Sequence, residues 1–350
     1  MRAIVKQRPA PGADFVADHP DAPLPEEWVR IAVGATSVCG TDRELWEYSD
    51  SARAFPVRFP VVLGHETAGT VVEVGSAVRT LAVGDRVAIE THIADFSCPE
   101  CRAGDPHLCR NMGLFGVNVD GAFAERTMVP ASTCVRLPES VSFEAGAMLE
   151  SAGVGMHAVQ RAGAPFPGAN VLISGGGPIG LVIAELSLIG GAAKVVVIEP
   201  NPYRRALIEQ RGAIAVAPGP EVIEIARLTG ERSGFDIGYE VSGVNGTLSV
   251  LLEASRLVGT VVTIGHPGQP TPIDVAQHIN KRGITLRGVF GRLIWQTWEL
   301  LIPLVASGRL DLDRLVTHRL PLERVADAID LLSQDAGKVV IIPDLEVHTA

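Results

Sequence analysis

The run Asn170-Val-Leu-Ile-Ser-Gly-Gly-Gly-Pro-Ile-Gly180 decides the fold: an apolar, strand-length segment enters a glycine turn and leaves it as an apolar helix. Gly175, Gly177 and Gly180 fit the spacing G-x-G-x-x-G. In that pattern the first glycine permits a tight turn and the second lets backbone approach a pyrophosphate. The third lets helix and strand pack closely. Pro178 and Ile179 open the helix, whose N-terminus turns partial positive charge toward phosphate. The next apolar run, Val195 to Glu199, ends in an acid 24 positions after Gly175. A carboxylate there accepts hydrogen bonds from ribose hydroxyls and repels a 2′-phosphate, which predicts NAD rather than NADP. Arg204 stands nearby and pulls the other way, since a guanidinium can accept that phosphate.

Outward from this point the chain alternates strand-length and helix-length segments. Strands are predicted at Val171–Ser174, Val195–Glu199, Ala213–Ala217, Asp236–Val241, Thr260–Ile264 and Ile284–Val289, with helices at Ile179–Ile189 and Tyr203–Gln210. Repeated β-α units imply a parallel, doubly wound sheet with right-handed crossovers. Before about residue 150 the texture differs. Short strands such as Trp28–Val33, Gly69–Val74 and Arg86–Ile89 are punctuated by Pro and Gly, as in a compact all-β fold. After 293 a helix is predicted at Trp295–Ser307, ending at Gly308, and a strand at Lys338–Ile342. The expected division is a first domain over 1–152, a dinucleotide-binding domain over 153–292, and a return to the first domain over 293–350.

Composition narrows the function. The 350 residues are 47% hydrophobic and 20% charged, ordinary for a globular protein. A net charge of −10 repels phosphate polymers, so nucleic acid is not an expected partner. Met1–Gln7 lacks the apolar core of a signal peptide. The most apolar stretch, Gly180–Ile198, contains Glu185 and Lys194 and is split by Gly190 and Gly191, so no membrane span is expected. These readings place the protein in the cytoplasm. Of five cysteines, Cys98, Cys101 and Cys109 crowd together, which favours metal thiolates over disulfides in such a compartment. Cys39 and the pair His65-Glu66 lie far apart in sequence. Zinc takes mixed S, N and O ligands and can join such residues, although on these residues alone a structural role is the rival reading.

The chain resembles the zinc-containing medium-chain dehydrogenases over nearly its whole length. The motifs that carry the resemblance are Gly64-His65-Glu66-x2-Gly69-x5-Gly75, Val83-Gly84-Asp85-Arg86-Val87 and the three-glycine turn. This resemblance implies a mainly-β, GroES-like catalytic domain joined to a Rossmann domain. It implies that Cys39, His65 and Glu66 bind a catalytic zinc, with Glu150 as a further acid beside it. Asp42 would orient the ligand histidine, and Thr41 would pass the alcohol proton outward. The family's structural zinc lobe carries four cysteines, but here Asp95 stands first, before Cys98, Cys101 and Cys109. Three thiolates and a carboxylate can complete a tetrahedral zinc; a lobe without its zinc is the alternative.

Within the superfamily the chain is most similar to L-threonine 3-dehydrogenases. The matching pieces include Phe115-Gly116-Val117-Asn118, Asn201-x-Tyr203-Arg204, Gly288-x2-Gly291-Arg292 and Thr317-His318-Arg319. That likeness places His92 near the substrate and Ile264, Gly265, Val289 and Phe290 against the nicotinamide half of NAD. One departure is Glu44, where threonine dehydrogenases usually carry a histidine; Cys39 to Glu44 instead looks like the opening of archaeal-type glucose dehydrogenases. Glu44 or His92 would continue the proton relay. The expectation is therefore a zinc-dependent, NAD-linked oxidation of a secondary alcohol to a ketone. L-Threonine is the leading substrate, and a polyol, cyclitol or sugar alcohol the alternative. A homo-oligomer, tetramer or dimer, is expected by resemblance. A zinc-free reductase of quinones or enones would not need Cys39, His65 and Glu66, and a non-enzymatic module would need neither site.

Overall fold

The computed structural model describes residues 1–163, 166–227 and 233–345. The chain divides into one unit of residues Met1–Glu150 with Leu293–Ala350, and a second of Ser151–Arg292.

In the first unit, β1 (Trp28–Val38) is the longest strand, and its inward residues alternate with half-buried ones along its first half. It pairs antiparallel with β2 (Glu66–Val74), which continues to β3 (Arg86–Ile89); β4 (Arg126–Pro130) pairs with β1 and β5 (Cys134–Arg136) with β3. Besides a short turn of helix at Pro99–Arg102, two longer helices interrupt what was expected to be all strands and turns. The helix α1 (Gly40–Glu47) follows β1 directly, and α2 (Phe143–Ala162) carries the chain into the second unit. The α1 start lacks the usual Ser or Thr signal: Cys39 is its N-cap, and Asp42 reaches back to the Cys39 N–H at 3.0 Å.

The second unit contains a six-stranded sheet among its described residues. Its strands are β6 (Asn170–Ser174), β7 (Lys194–Ile198), β8 (Ile214–Val216), β9 (Phe235–Glu240), β10 (Ser255–Thr263) and β11 (Thr285–Gly288). The order is β8-β7-β6-β9-β10-β11 and every pairing is parallel. The order reverses between β6 and β9, the switch point at which doubly wound sheets bind nucleotides. The helices α3 (Pro178–Ile189), α4 (Pro202–Glu209), α5 (Glu221–Arg227) and α6 (Thr247–Ala254) supply the crossovers. β6 and β7 are apolar and almost wholly buried, as parallel strands covered on both faces must be.

The chain then returns to the first unit. After α7 (Gln296–Ala306), β12 (Val316–Leu320) pairs with β13 (Lys338–Ile341), and β13 pairs antiparallel with the end of β1. The first unit's largest sheet therefore runs β5-β3-β2-β1-β13-β12, with β4 also on β1. Residues 346–350, within the span expected to rejoin the first domain, lie outside the described residues. No helix among the described residues is long and apolar enough to cross a membrane.

Candidate metal and nucleotide sites

In the first unit, the β1–α1 junction and the start of β2 bring Cys39 and His65 together. Cys39 Sγ lies 3.1 Å from His65 Nε2. Two ligands of one tetrahedral zinc, at bond lengths of about 2.3 and 2.0 Å, would stand roughly 3.5 Å apart. The other imidazole nitrogen, Nδ1, lies 3.0 Å from Asp42 Oδ1, and Asp42 is fully buried. With one Asp42 oxygen on the Cys39 N–H and the other on the ring, Asp42 fixes both residues in an orientation in which Nε2 and the Cys39 sulfur could hold a metal. Thr91 adds a further anchor by donating from Oγ1 to the His65 carbonyl at 2.7 Å.

The charges at this point fit a cation. Burial pushes the Cys39 thiol up, with Asp42 and Glu66 adding to the shift against the opposing pull of His65. Burial opposes protonation of His65, but Asp42 and Cys39 outweigh it and hold the ring's pKa well above the ordinary value. A divalent ion reverses both conditions, since it deprotonates a coordinating thiol and takes a neutral imidazole.

Glu66 is engaged through Oε2, which accepts from Ser37 Oγ and from Lys338 Nζ, the latter at 2.5 Å. Both members of the ion pair are 2% exposed. Burial opposes ionisation of Glu66, yet Lys338, His65 and Ser37 together hold its pKa below the ordinary value. Among the described residues, the ligand atoms that converge here are those of Cys39, Asp42 and His65; neither Glu66 nor Glu150 joins that group. Glu150 is buried in α2, within electrostatic reach of Lys338. Thr41 and Glu44 are half-buried on α1. His92 is buried, and its N–H donates to Glu90 Oε1 at 2.8 Å, while Glu90 Oε2 accepts from Trp298 Nε1 at 2.7 Å.

Lys338, Ser37, Glu90 and Trp298 were not singled out from sequence. The one legible signal was Lys338, a lone cation opening the otherwise apolar strand Val339–Ile341. A fully buried lysine requires a buried anion.

Asp95, Cys98, Cys101 and Cys109 form a second convergent group. Cys98 Sγ is 3.4 Å from Cys101 Sγ and 3.9 Å from Cys109 Sγ, while Asp95 Oδ1 is 3.6 and 3.4 Å from the Cys101 and Cys109 sulfurs. Sulfurs on one tetrahedral zinc stand about 3.8 Å apart and a sulfur and an oxygen about 3.6 Å, so this donor set fits the ion. Asn111 Nδ2 donates to Asp95 Oδ2 at 2.5 Å, and the Ser97 and Cys98 N–H groups donate to Oδ1. These bonds, Asn111 first, hold the Asp95 carboxyl below the ordinary carboxylate range. Burial and the Cys98 and Cys109 sulfurs push the Cys101 thiol up to about 12, a repulsion that a shared cation relieves.

In the second unit, the turn Gly175-Gly176-Gly177 joins β6 to α3, with Gly177 as N-cap and Pro178 at the first helical position. A Cβ on Gly180 would lie 1.9 Å from the Gly175 carbonyl oxygen, so only glycine fits. Glu199, just past β7, accepts from the Gly176 N–H through Oε2 at 2.8 Å and from the Asn201 N–H through Oε1 at 2.9 Å. Arg204 lies in the first turn of α4. Ile264 and Gly265 follow β10, and Val289 and Phe290 follow β11, so all four residues lie on the carboxyl edge of the sheet with the glycine turn.

Residues 25–139 match the alcohol dehydrogenase GroES-like domain family, and residues 178–307 match the zinc-binding dehydrogenase family. The chain belongs to the zinc-containing medium-chain alcohol dehydrogenase superfamily, whose members are oxidoreductases that use zinc and a nicotinamide nucleotide. It is 37% identical over 348 residues to an L-threonine 3-dehydrogenase of Pyrococcus horikoshii, covering 98% of both chains. Its fold matches that of a zinc-binding dehydrogenase from Sinorhizobium meliloti 1021 bound to NADP, with a TM-score of 0.86 and 32% identity over 98% of this chain and 99% of that one. The 2R,3R-butanediol dehydrogenase of Bacillus subtilis is similar at a TM-score of 0.88 and 27% identity, with the same shares covered.

Proposed function

We propose that the chain oxidises a secondary alcohol to a ketone with NAD as acceptor, and that L-threonine is its substrate. The observation that carries the reaction type is the Cys39–His65 pair, held at 3.1 Å with the far side of the imidazole fixed by Asp42. Cys39 and His65 hold the metal, with Glu66 and Glu150 as the acids that complete its surroundings. Zinc, when bound, supplies Lewis-acid stabilisation of the ionised hydroxyl, as it brings bound water to a pKa near ~7. The residues of the chain do the rest. Asp42 keeps the ligand nitrogen of His65 aimed at the metal. Thr41 takes the hydroxyl proton, and Glu44 or His92 carries it outward. NAD, when bound at Gly175, Gly177, Gly180 and Glu199, would supply the acceptor for the hydride that the alcohol carbon gives up. A ketone, reduced cofactor and a proton result.

NAD is favoured by Glu199. Each of its oxygens accepts one bond from the backbone and keeps lone-pair capacity for ribose hydroxyls, while its charge opposes a 2′-phosphate. L-Threonine is favoured by relatives of that activity aligned over the full length. Glu44, in place of the family's histidine, favours a polyol or sugar alcohol as the second reading. A panel of L-threonine, polyols, cyclitols and simple secondary alcohols, each with NAD and NADP, tests both. The highest kcat/KM should fall on L-threonine with NAD, and a preference for a polyol would overturn the substrate. The same reading takes the chain as a cytoplasmic homo-oligomer.

Asp95 completes a second, structural zinc in this proposal. Asp95→Ala is expected to lose that ion and keep the catalytic one, so the metal-to-chain ratio measured by elemental analysis should halve. A ratio of two that survives the substitution would overturn Asp95 as a ligand, and a ratio of one in the unmodified chain would mean that the lobe holds no metal.

A further inference from the structure

Glu240 ends β9, next to β6, where the strand order reverses. The residue is 4% exposed, and among the described residues its carboxylate accepts from Ser242, Gly243 and Thr247. Oε1 accepts from the Ser242 N–H at 3.0 Å, Ser242 Oγ at 2.6 Å, the Gly243 N–H at 3.1 Å and Thr247 Oγ1 at 2.9 Å. Oε2 lies 3.3 Å from the same Gly243 nitrogen. The carbonyl of Glu240 accepts from the N–H groups of Ile264 and Gly265 at 2.8 and 3.0 Å. One residue thus ties the end of β9 to the first turn of α6 and to the end of β10.

The network touches the nucleotide turn. Ser242 Oγ lies 3.3 Å from Ser174 Oγ, and the Val241 N–H donates to the Ser174 carbonyl at 2.9 Å. A Cβ on Gly175 would meet Ser242 N and Cα at 3.1 Å. On the other side, a Cβ on Gly265 would lie 2.3 Å from Gly243 N and 2.6 Å from Glu240 Oε2, so the backbone at 265 is pressed onto this carboxylate.

We infer that Glu240 is the positioning residue of the nicotinamide nucleotide site, a carboxylate that presets the backbone of 241–243 and 264–265 before the cofactor arrives. Every group facing its oxygens donates, and a carboxylate offers acceptors alone. Fixing this backbone in advance spares the cofactor the ordering cost of an unconstrained loop. Glutamine has the same shape, but with its oxygen in the Oε1 place its NH₂ meets the Gly243 nitrogen at the Oε2 place, and the charge that strengthens all four Oε1 bonds is lost. The inference rests on the reading of this unit as the cofactor domain.

The test is a fluorescence titration of the full chain with NADH, without substrate. Glu240→Gln should raise the NADH Kd about tenfold. In steady state it should raise the cofactor KM by more than it lowers kcat, a split that general destabilisation does not produce. Thr247→Val removes one donor at the start of α6 and should raise Kd about threefold, which keeps the inference testable if Glu240→Gln does not fold. Folded variants that bind NADH as the unmodified chain does would overturn the role of Glu240 alone. An unmodified chain that binds no NADH would instead overturn the reading of NAD as its cofactor.

Discussion

Cys39→Ala is expected to lower kcat/KM for alcohol oxidation at least about a thousandfold, while NADH binding stays near its original strength. The size follows from what Cys39 holds. Lewis-acid stabilisation of developing negative charge is worth several kcal/mol, and even one oxyanion donor is worth about 10²–10³ in rate. In the proposed function Cys39 contributes a ligand atom, and it caps α1, which carries Thr41, Asp42 and Glu44. Its loss would remove a metal bond, while the Cys39 N–H that Asp42 holds at the helix start is backbone and stays in the variant. The glycine turn and Glu199 belong to the other unit and keep their own backbone bonds. Three measurements together decide the matter: turnover, zinc content and the NADH Kd. Full turnover in a variant that has lost its catalytic zinc would sink the metal reading. A parallel loss of NADH binding would show that the damage is to folding.

Lys338→Met should cost about 3–5 kcal/mol of stability, because removing one partner of a buried ion pair strands the other. Glu66 would keep the Ser37 bond but lose its counter-charge in a site that excludes water. Adding Glu66→Leu should restore most of the lost stability, since two well-packed apolar groups are often as stable as the pair they replace. Thermal unfolding of the single and double variants checks this; equal melting of Lys338→Met and the unmodified chain would show the pair to be structurally neutral. The pH dependence has a definite sign. Glu66 titrates below its ordinary 4.5, so its contribution is present above that value and fades as pH falls through the lowered one. Burial works against Lys338, but Glu66 and Cys39 outweigh it and raise its pKa above 10.5, so its contribution is complete below that value and fades as pH climbs through the raised one. Near neutral pH the pair should therefore contribute a constant amount.

Those two residues also mark what a single sequence displays. The glycine spacing at 175–180 and the strand–helix alternation after it specified the parallel sheet, because both follow from local backbone needs. Strand ends came within a few residues, although β10 begins earlier than the apolar run at Thr260 suggests. Cys39, His65 and Asp42 were readable through their motifs. The Glu66–Lys338 pair was not, since 272 positions separate its members and no local pattern couples them. Glu240 went unnoticed for another reason. An acid closing a parallel strand was read at Glu199, where a ribose was expected, but the same placement at Glu240 answers donors of the chain itself. The α1 helix was hidden because a cysteine and an aspartate replace the common caps.

The placement of β13 beside β1 bears on how the protein is made. Residues 151–292 are contiguous, so that unit can finish folding while the ribosome is still adding the rest. The first unit has to wait. β4 covers residues 28–32 of the β1 edge opposite β2, but the Thr36–Val38 end of that edge stays open until residue 341 has emerged, and Glu66 lacks the Lys338 counter-ion until then. During that interval the nascent chain carries a nucleotide-binding unit and an open stretch of β edge, and the Cys39–His65 pair acquires its final electrostatic surroundings only once Lys338 has been added.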